Sequence, residues 1–274
     1  MYVRDVIMDK KAIGFLDSGV GGLTVVKQAM KQLPNESIYY IGDNARCPYG
    51  PRPAHEVIAF TWELTQFLLK KDIKLLVIAC NTATAVALEE IRQRVDIPVI
   101  GVILPGSRAA IKNTDNGRIG VIGTEGTIKS GVYEQTLKAK DPTIQIASLS
   151  CPDFVPLVEN NQINSSIAKK IVYETLQPMT KLNLDTLILG CTHYPILRHQ
   201  IQNVMGEQVI LIDSGAEAVS EVSTLLDYYE IAAHYSHRQS RECCFYTTGA
   251  KEPFFNIAKE WLEVNDLNVQ EVRL

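Results

Sequence analysis

The stretch that decides the fold is Leu75–Thr82, which reads LLVIACNT, together with its look-alike Thr186–His193, which reads TLILGCTH. Each stretch starts as an apolar run and ends in a cysteine followed by polar residues. A short branched apolar run that stops at small polar residues indicates a buried parallel strand feeding a loop. Ligands of open α/β sheets bind beyond the carboxyl ends of such strands. We therefore expect Cys80 and Cys191 to face one substrate as an acid and a base.

A second pair of landmarks indicates an internal duplication. Ala12–Gly19 (AIGFLDSG) and Arg118–Thr127 (RIGVIGTEGT) both read as a strand that runs into a glycine-containing turn. The offset from Ile13 to Ile119 is 106 residues, and the offset between the two cysteines is 111. Two landmarks at nearly the same offset predict a two-copy domain repeat and not a short-period solenoid.

Between the landmarks, segments with a strand pattern alternate with segments with a helical pattern. Predicted strands cover residues 37–43, 99–103, 144–147 and 209–213, and predicted helices cover 55–71 and 165–176. The triplet Leu104–Gly106 (LPG) predicts a turn after the strand at 99–103. This alternation predicts an α/β fold with two pseudo-symmetric lobes. Each lobe should hold a mostly parallel sheet flanked by helices, with the active site in the cleft between the lobes.

The first of the two predicted lobes is discontinuous. It comprises residues 1–104 plus 214–274 and carries Asp17 and Cys80, while the second comprises 105–213 and carries Cys191 and His193. The tail after Asp213 has no counterpart at the end of the first copy. Its patterns predict a helix to about residue 230, a strand at 243–247 and an amphipathic helix at 253–263. We expect this tail to fold back onto the first lobe.

Composition places the chain among ordinary globular proteins and excludes several classes of partner. Of the 274 residues, 46% are apolar and 21% charged, and the formal charge is −4 without any basic cluster. We therefore expect no nucleic-acid partner. No apolar stretch approaches the ~20 residues that a membrane span needs, and residues 1–11 lack the apolar segment of a signal peptide. The expectation is a soluble cytoplasmic protein that does not bind membranes.

The six cysteines do not have the spacing of a metal site. None forms a C-x-x-C pair, and two of them, Cys243 and Cys244, are adjacent. Any one cysteine taken alone is best explained as an inert buried thiol. What distinguishes Cys80 and Cys191 from the other four is their matched setting. We predict no metal ligands.

Several other chemistries fail on spacing. A dinucleotide-binding turn needs a third glycine where this chain has Val25, and a P-loop lysine is missing. Binding of a carboxylate by the backbone of Asp17–Gly19 remains open. A cysteine hydrolase could pair Cys191 with His193, whereas a phosphatase loop would need an arginine one position before Arg198. Neither scheme explains a second thiol.

Two thiols on opposite sides of one carbon suit inversion of a stereocentre next to a carboxylate. One thiol removes a proton and the other returns one to the opposite face. A thiol with a pKa of about 8.5 serves in both directions after modest tuning, and helix N-termini should lower the pKa of both thiols. Asp17 and His193 could manage the proton on each side. The pattern implies no electron-sink cofactor, although a missing motif alone leaves a pyridoxal enzyme open.

Four ordered motifs resemble those of the glutamate racemases. They are Gly14–Thr24, Gly42–Gly50, Ala79–Ala85 and Gly190–Pro195. The resemblance runs from about Ile13 to Ala216. It implies cofactor-independent interconversion of L- and D-glutamate, which supplies D-glutamate for peptidoglycan. It also implies a homodimer.

The resemblance assigns roles to individual residues. Cys80 and Cys191 match the two catalytic acid/bases, with the first-lobe thiol serving D-glutamate, and Asp17 and His193 match the auxiliary catalytic groups. The substrate-binding set comprises Asp17, Ser18, Tyr49, Gly50, Asn81, Thr82, Thr124, Thr127, Glu159, Thr192 and His193. After Glu159, Asn160 and Asn161 stand where such enzymes often have a glycine. Because Asn tolerates left-handed backbone geometry, we expect this turn to be kept.

Two alternatives stay open at this point. The first is a racemase of the same fold that acts on aspartate or another acidic amino acid, because one methylene changes binding by only ~1–3 kcal/mol. The second is a non-catalytic two-lobed protein that closes on an acidic ligand. The matched thiols argue against the second alternative.

Overall fold

The computed structural model describes residues 10–233 and 241–274, which form an α/β structure with two parallel sheets. The predicted fold class is thereby confirmed. Residues 1–9 and 234–240, which belong to the predicted first lobe, lie outside the described residues, as does most of the segment of the signal-peptide prediction.

The strands and helices alternate along the described chain. The strands are β1 Ile13–Asp17, β2 Ile38–Gly42, β3 Leu75–Ile78, β4 Val99–Gly101, β5 Arg118–Gly123, β6 Gln145–Ser150, β7 Thr186–Gly190, β8 Ile210–Asp213, β9 Cys243–Thr247 and β10 Asn268–Glu271. The helices are α1 Leu23–Gln32, α2 Ala54–Leu69, α3 Asn81–Arg94, α4 Ile103–Asn113, α5 Glu125–Lys129, α6 Val132–Lys140, α7 Phe154–Glu159, α8 Ser166–Thr180, α9 Arg198–Met205, α10 Ser214–Tyr228 and α11 Lys251–Leu262, with a 3₁₀ turn at Tyr194–Leu197. No helix within the described ranges has the length and apolar character to cross a bilayer.

The two cysteine-bearing strands occupy equivalent places in their sheets. The first sheet has the strand order β10-β9-β2-β1-β3-β4, and the second has the order β6-β5-β7-β8. In the first, β3 pairs in parallel with the central strand β1; in the second, β7 pairs in parallel with β5. Because all these strands are parallel, the residues that follow them emerge at the carboxyl edge of each sheet.

Both cysteine-bearing strands are buried on two faces, which explains their continuous apolar sequence. Along β3, Leu75 and Val77 pack into one apolar cluster, whereas Leu76 and Ile78 pack into the cluster on the other face. Along β7, Ile188 likewise faces away from its two leucine neighbours. Helices cover both faces of both strands.

The tail returns to the first sheet, as the sequence predicts. Strand β9 pairs in parallel with β2, and β10 pairs with β9. Helix α11 buries Phe254, Ala258 and Leu262 against the core of that sheet. The first sheet is thus built from strands that precede residue 102 and follow residue 242, and the second lies between residues 118 and 213.

Two details of the sequence prediction are wrong. Leu104–Gly106 does not form a turn but lies in the first turns of α4, where Pro105 is tolerated because the first helical N–H groups have no partner inside the helix. Helix α8 runs past Leu176 to Thr180 because Met179 extends its buried face. The predicted turn after Glu159 does form, with Asn161 at a φ of 53°.

A buried ion pair fixes the start of the strand that leads to Cys80. Lys74 Nζ lies 2.7 Å from Glu36 Oε2, and the two side chains are 0% and 4% exposed. Lys74 Nζ also donates to the Ile231 carbonyl, and Glu36 accepts from the Ala233 N–H at 2.7 Å. The pair therefore joins β3 to the segment that follows α10.

We predict that Glu36→Gln lowers the free energy of unfolding by about 3 kcal/mol, since it removes one charge of a buried ion pair. Urea unfolding followed by circular dichroism measures the change. Glu89→Gln, which breaks an exposed pair with Arg92, is the matched control and should cost less than about 1 kcal/mol. Equal losses in the two variants would contradict the prediction.

Candidate active site

Cys80 and Cys191 follow equivalent strands and line the same pocket. Cys80 is the N-cap residue of α3 and lies one residue beyond the end of β3, and Cys191 directly follows β7. The side chains are almost fully buried, at 5% and 6% exposure. The pocket is lined by Ser18, Cys47, Pro48, Tyr49, Gly50, Cys80, Asn81, Thr82, Thr124, Val155, Cys191, Thr192 and His193. One thiol from each sheet thus reaches a common space.

Three predicted site residues stand behind this lining. Asp17 is completely buried, Thr127 is 1% exposed, and Glu159 contacts His193 from the side. Three lining residues were not predicted as site residues, namely Cys47, Pro48 and Val155. The first two belong to the Gly42–Gly50 motif, so their position in that motif was a usable signal. Val155 had no such signal.

The surroundings of Cys80 keep its thiol protonated. Burial raises the pKa of Cys80 to about 12, and the negative charge of Asp17 acts in the same direction. The Ala83 N–H, which donates to Sγ at 3.4 Å, and the Ser18 hydroxyl at 3.7 Å lower the pKa by less. The N-terminus of α3 lowers the pKa of this thiol through the Ala83 amide, as expected, but desolvation outweighs that effect and the net pKa is raised.

The surroundings of Cys191 contain a cation. Its Sγ lies 3.7 Å from His193 Nδ1, and Nε2 of the same ring lies 3.1 Å from Glu159 Oε1. Burial opposes a charge on the imidazole, but the contacts with Cys191 and Glu159 prevail and raise the pKa of His193 to about 10. His193 in turn holds the pKa of Glu159 below its usual value against the effect of burial. Cys191 therefore faces an imidazolium near neutral pH.

Asp17 joins the two sheets at this point. Its Oδ2 accepts from the Gly19 N–H at 3.0 Å, and its Oδ1 accepts from the Thr192 hydroxyl at 3.4 Å. Burial raises its pKa, and the positive charge of His193 counteracts part of that rise. The close approach requires glycine at position 21, because a Cβ there would overlap the Thr192 hydroxyl and lie 2.6 Å from the His193 ring.

Three threonine hydroxyls form a second junction between the two sheets. Thr82 Oγ1 lies 2.8 Å from Thr124 Oγ1 and 3.2 Å from Thr127 Oγ1, and the latter two are 3.0 Å apart. Beside them the Gly126 N–H donates to the Gly50 carbonyl at 2.9 Å. The triangle places Thr127 behind the pocket wall, where it holds Thr82 and Thr124.

Tyr49 is held by a residue that the sequence reasoning missed. Its hydroxyl donates to Asp43 Oδ2 at 2.5 Å, and Arg46 Nε donates to the same oxygen at 2.7 Å. Asp43 Oδ1 accepts from the Thr248 hydroxyl. The carboxylate of Asp43 is completely buried and directly follows β2, so its place at a strand end was the available signal.

Comparison with known proteins identifies the family to which the chain belongs. Residues 23–222 match the family model described as Asp/Glu/hydantoin racemase. The chain is 63% identical to the glutamate racemase of Carnobacterium sp. (strain St2), over 97% of this chain and 100% of that protein. The chain belongs to the glutamate racemases of the Asp/Glu/hydantoin racemase family.

Solved structures of glutamate racemases have the same fold. The enzyme from Bacillus anthracis is 47% identical and superposes with a TM-score of 0.92, covering 96% of this chain and 98% of that one. The enzyme from Francisella tularensis, solved in complex with D-glutamate, is 33% identical with a TM-score of 0.89, covering 97% and 98%. The resemblance to glutamate racemases seen in the sequence is confirmed.

The pocket of this glutamate racemase family member offers hydrogen-bond donors and proton-transfer groups. Amide and hydroxyl groups come from Ser18, Asn81, Thr82 and Thr192, and the two thiols stand among them. Within the described ranges, no group of three or more His, Cys, Asp or Glu residues has the arrangement of a metal site. The arrangement can bind a small anion and move protons.

We predict a pH-dependent contribution of His193 to stability. Its pKa is about 10 in the folded protein and about 6.5 in the unfolded chain, so the folded state binds the proton more tightly. The contribution to the free energy of unfolding is fully present below about pH 6.5 and is lost as the pH rises through about 10. Urea unfolding at about pH 6, 8 and 10 should show wild type losing its advantage over His193→Gln as the pH rises.

The exposed residue His199 supplies the control for this experiment. His199→Gln makes the same replacement outside the pocket, so its stability at each pH is the reference for the loss of an imidazole. A difference between wild type and His193→Gln that stays constant from about pH 6 to about pH 10 would contradict the assignment of a raised pKa to His193.

Proposed function

We propose that this protein interconverts L- and D-glutamate by two-base proton transfer between Cys80 and Cys191. The observation that carries the proposal is that the two thiols follow equivalent strands of two sheets and line one pocket. Inversion of a stereocentre needs one group on each face of the α-carbon, and such an arrangement supplies both. The high identity to glutamate racemases of other organisms supports glutamate as the substrate.

The proton balance of the proposed reaction is simple. In the D-to-L direction the Cys80 thiolate removes the Cα proton and becomes a thiol, while the Cys191 thiol gives its proton to the opposite face and becomes a thiolate. The reverse direction exchanges the two roles. Because burial raises the pKa of Cys80 to about 12, Cys80 must lose its proton as substrate binds, and the nearby Asp17 and Ser18 are the groups that can assist. His193 is the matching group for Cys191.

The remaining polar groups would hold the substrate. We assign the carboxylates and the amino group of glutamate to the pairs Asp17 and Ser18, Tyr49 and Gly50, Asn81 and Thr82, Thr192 and His193, together with Thr124. Thr127 and Glu159 would act from behind, through the threonine triangle and through His193. Hydrogen-bond donors are the expected partners of two carboxylates.

The proposed function includes an assembly and a cellular role. We propose that residues 1–104 with 214–274 and residues 105–213 act as two lobes, a division that agrees with the membership of the two sheets. A cytoplasmic homodimer that supplies D-glutamate for peptidoglycan is the corresponding biological form. Pyridoxal phosphate has no step in this reaction.

We predict that the purified protein racemises glutamate in D2O without added pyridoxal phosphate. Each product molecule should carry one deuterium at Cα while the remaining substrate stays protiated at early times, because the donating thiol takes its proton from solvent. Circular dichroism and proton NMR follow the two events. A protein that binds glutamate without exchange would be the non-catalytic alternative.

Serine variants test the two bases. Cys80→Ser and Cys191→Ser should each lower kcat by about 10²- to 10⁴-fold, since the alkoxide is far too basic to replace a thiolate. Cys243→Ser is the matched control, because Cys243 is half-buried on β9 and does not line the pocket. If either pocket variant kept the wild-type rate, the two-base assignment would be wrong.

We also predict that kcat/KM for glutamate exceeds that for aspartate by about 10- to 200-fold, the range that one methylene provides in a fitted pocket. The shorter side chain cannot reach the donors for its distal carboxylate while Cα stays between the thiols. Parallel assays with the two amino acids measure the ratio. A preference for aspartate would select the alternative substrate for the same fold.

A further inference from the structure

The side chain of Asn81 has one satisfied end and one that has no partner. Asn81 is the first residue of α3, is 2% exposed and lines the pocket. Its Oδ1 accepts a hydrogen bond from the Tyr133 hydroxyl at 2.7 Å. Its Nδ2 is buried and has no hydrogen-bond partner among the described residues. A buried amide donor without a partner is uncommon in folded proteins and calls for an explanation.

The ring of Tyr133 is held in place by packing, and its hydroxyl donates to Asn81. Tyr133 comes from α6, packs in an apolar cluster of the second sheet and is 2% exposed. Its ring lies against Gly190, where a Cβ would come within 3.1 Å of it. Burial raises the pKa of its hydroxyl, so the phenol keeps its proton. Tyr133 therefore reaches across from the second sheet to a residue that follows a strand of the first.

Ser214 is the other hydroxyl near the Asn81 oxygen. Its Oγ lies 3.4 Å from Asn81 Oδ1 but only 3.1 Å from the Leu189 carbonyl. A serine hydroxyl has one proton to donate, and the shorter contact takes it. The hydrogen bond from Tyr133 is therefore the interaction that fixes which end of the amide is the acceptor.

We infer that Tyr133 is a positioning residue that locks the Asn81 amide so that Nδ2 is kept as a donor for a carboxylate oxygen of the substrate. The inference rests on the proposed function. Rotation of the amide by half a turn would exchange its oxygen and nitrogen and point an acceptor at the carboxylate, which repels it. With its proton committed to Oδ1, Tyr133 prevents that rotation before substrate arrives, so no binding energy is spent on orienting the amide.

The direct test is Tyr133→Phe, which removes the hydroxyl and keeps the ring. We expect KM for both glutamate enantiomers to rise about three- to tenfold, the effect of one hydrogen bond, with kcat changed less than about twofold. Tyr246→Phe is the matched control, since Tyr246 is 4% exposed and packs against Tyr39 and Phe67, away from the pocket. It should keep the wild-type KM. A wild-type KM in Tyr133→Phe would overturn the inference.

A double-variant cycle shows whether Tyr133 acts through Asn81. Asn81→Ala alone should raise KM more than tenfold, as for a hydrogen bond to a charged group. If Tyr133 works by orienting Asn81, adding Tyr133→Phe to Asn81→Ala should raise KM no further, because residues that act as a unit are not additive. Multiplication of the two single effects would mean that Tyr133 acts independently and would overturn the inference.

Asn81→Asp tests the orientation without disturbing Tyr133. The aspartate keeps an acceptor for the Tyr133 hydroxyl and replaces Nδ2 with a second oxygen, so it should bind glutamate more weakly than Asn81→Ala does. Binding as tight as that of Asn81→Ala would overturn the inference even if Tyr133→Phe did not fold. A wild-type protein without glutamate racemisation would instead refute the proposed function, which keeps the two failures distinguishable.

Discussion

The buried carboxylate of Asp17 is the interaction on which the site depends. Asp17 is the last residue of β1 in the first sheet. Its carboxylate accepts hydrogen bonds from the Gly19 N–H and from the hydroxyl of Thr192, which follows a strand of the second sheet. Its charge raises the pKa of Cys80 and is attracted by His193. Asp17 therefore links the two sheets by a hydrogen bond. Its charge also acts on Cys80 directly and on the His193 ring that contacts Cys191. Because Asp17 is completely buried, these charge interactions are weakly screened.

The equivalence of the two thiols is one of backbone position and not of environment. Cys80 and Cys191 follow strands that occupy matching places beside the central strands β1 and β5. Cys80 nevertheless faces a buried carboxylate, whereas Cys191 faces an imidazolium that Glu159 stabilises. A substrate with an ammonium group and two carboxylates would meet opposite charges on its two sides. The matching strand positions supply the geometry, and the residues that differ between the two sheets supply the chemistry of each half-reaction.

The contacts between the sheets use small residues and short side chains. Gly21 admits the Thr192 and His193 side chains, and the Gly126 N–H reaches the Gly50 carbonyl. The hydroxyls of Thr82, Thr124 and Thr127 hydrogen-bond to one another where the two sheets meet. Such close packing leaves a narrow pocket whose wall groups are already oriented, and this preorganisation favours transition-state stabilisation over adjustment to the substrate.

Much of the fold was predictable because its signals are local. The strands around both cysteines are continuous apolar runs, and parallel sheets require such runs when both faces are buried. The tail that returns to the first sheet was predictable from its strand and helix patterns. The prediction of a turn at Leu104–Gly106 was wrong because a proline and a glycine near the start of a helix give the same sequence signal as a loop. The predicted end of α8 was wrong because the helix continues to bury Met179, and burial depends on the tertiary structure.

The sequence by itself determined the two strand-end cysteines, their matched setting and the family motifs, because these depend on residue types at fixed spacing. Only the tertiary structure decided the state of each group. The pKa of Cys80 rises although it caps a helix, since burial is set by segments far away in the chain. Tyr133 acts on Asn81, which lies 52 positions away in the sequence. Hydrogen bonds between distant segments form only when the fold brings them together, so no local pattern records them.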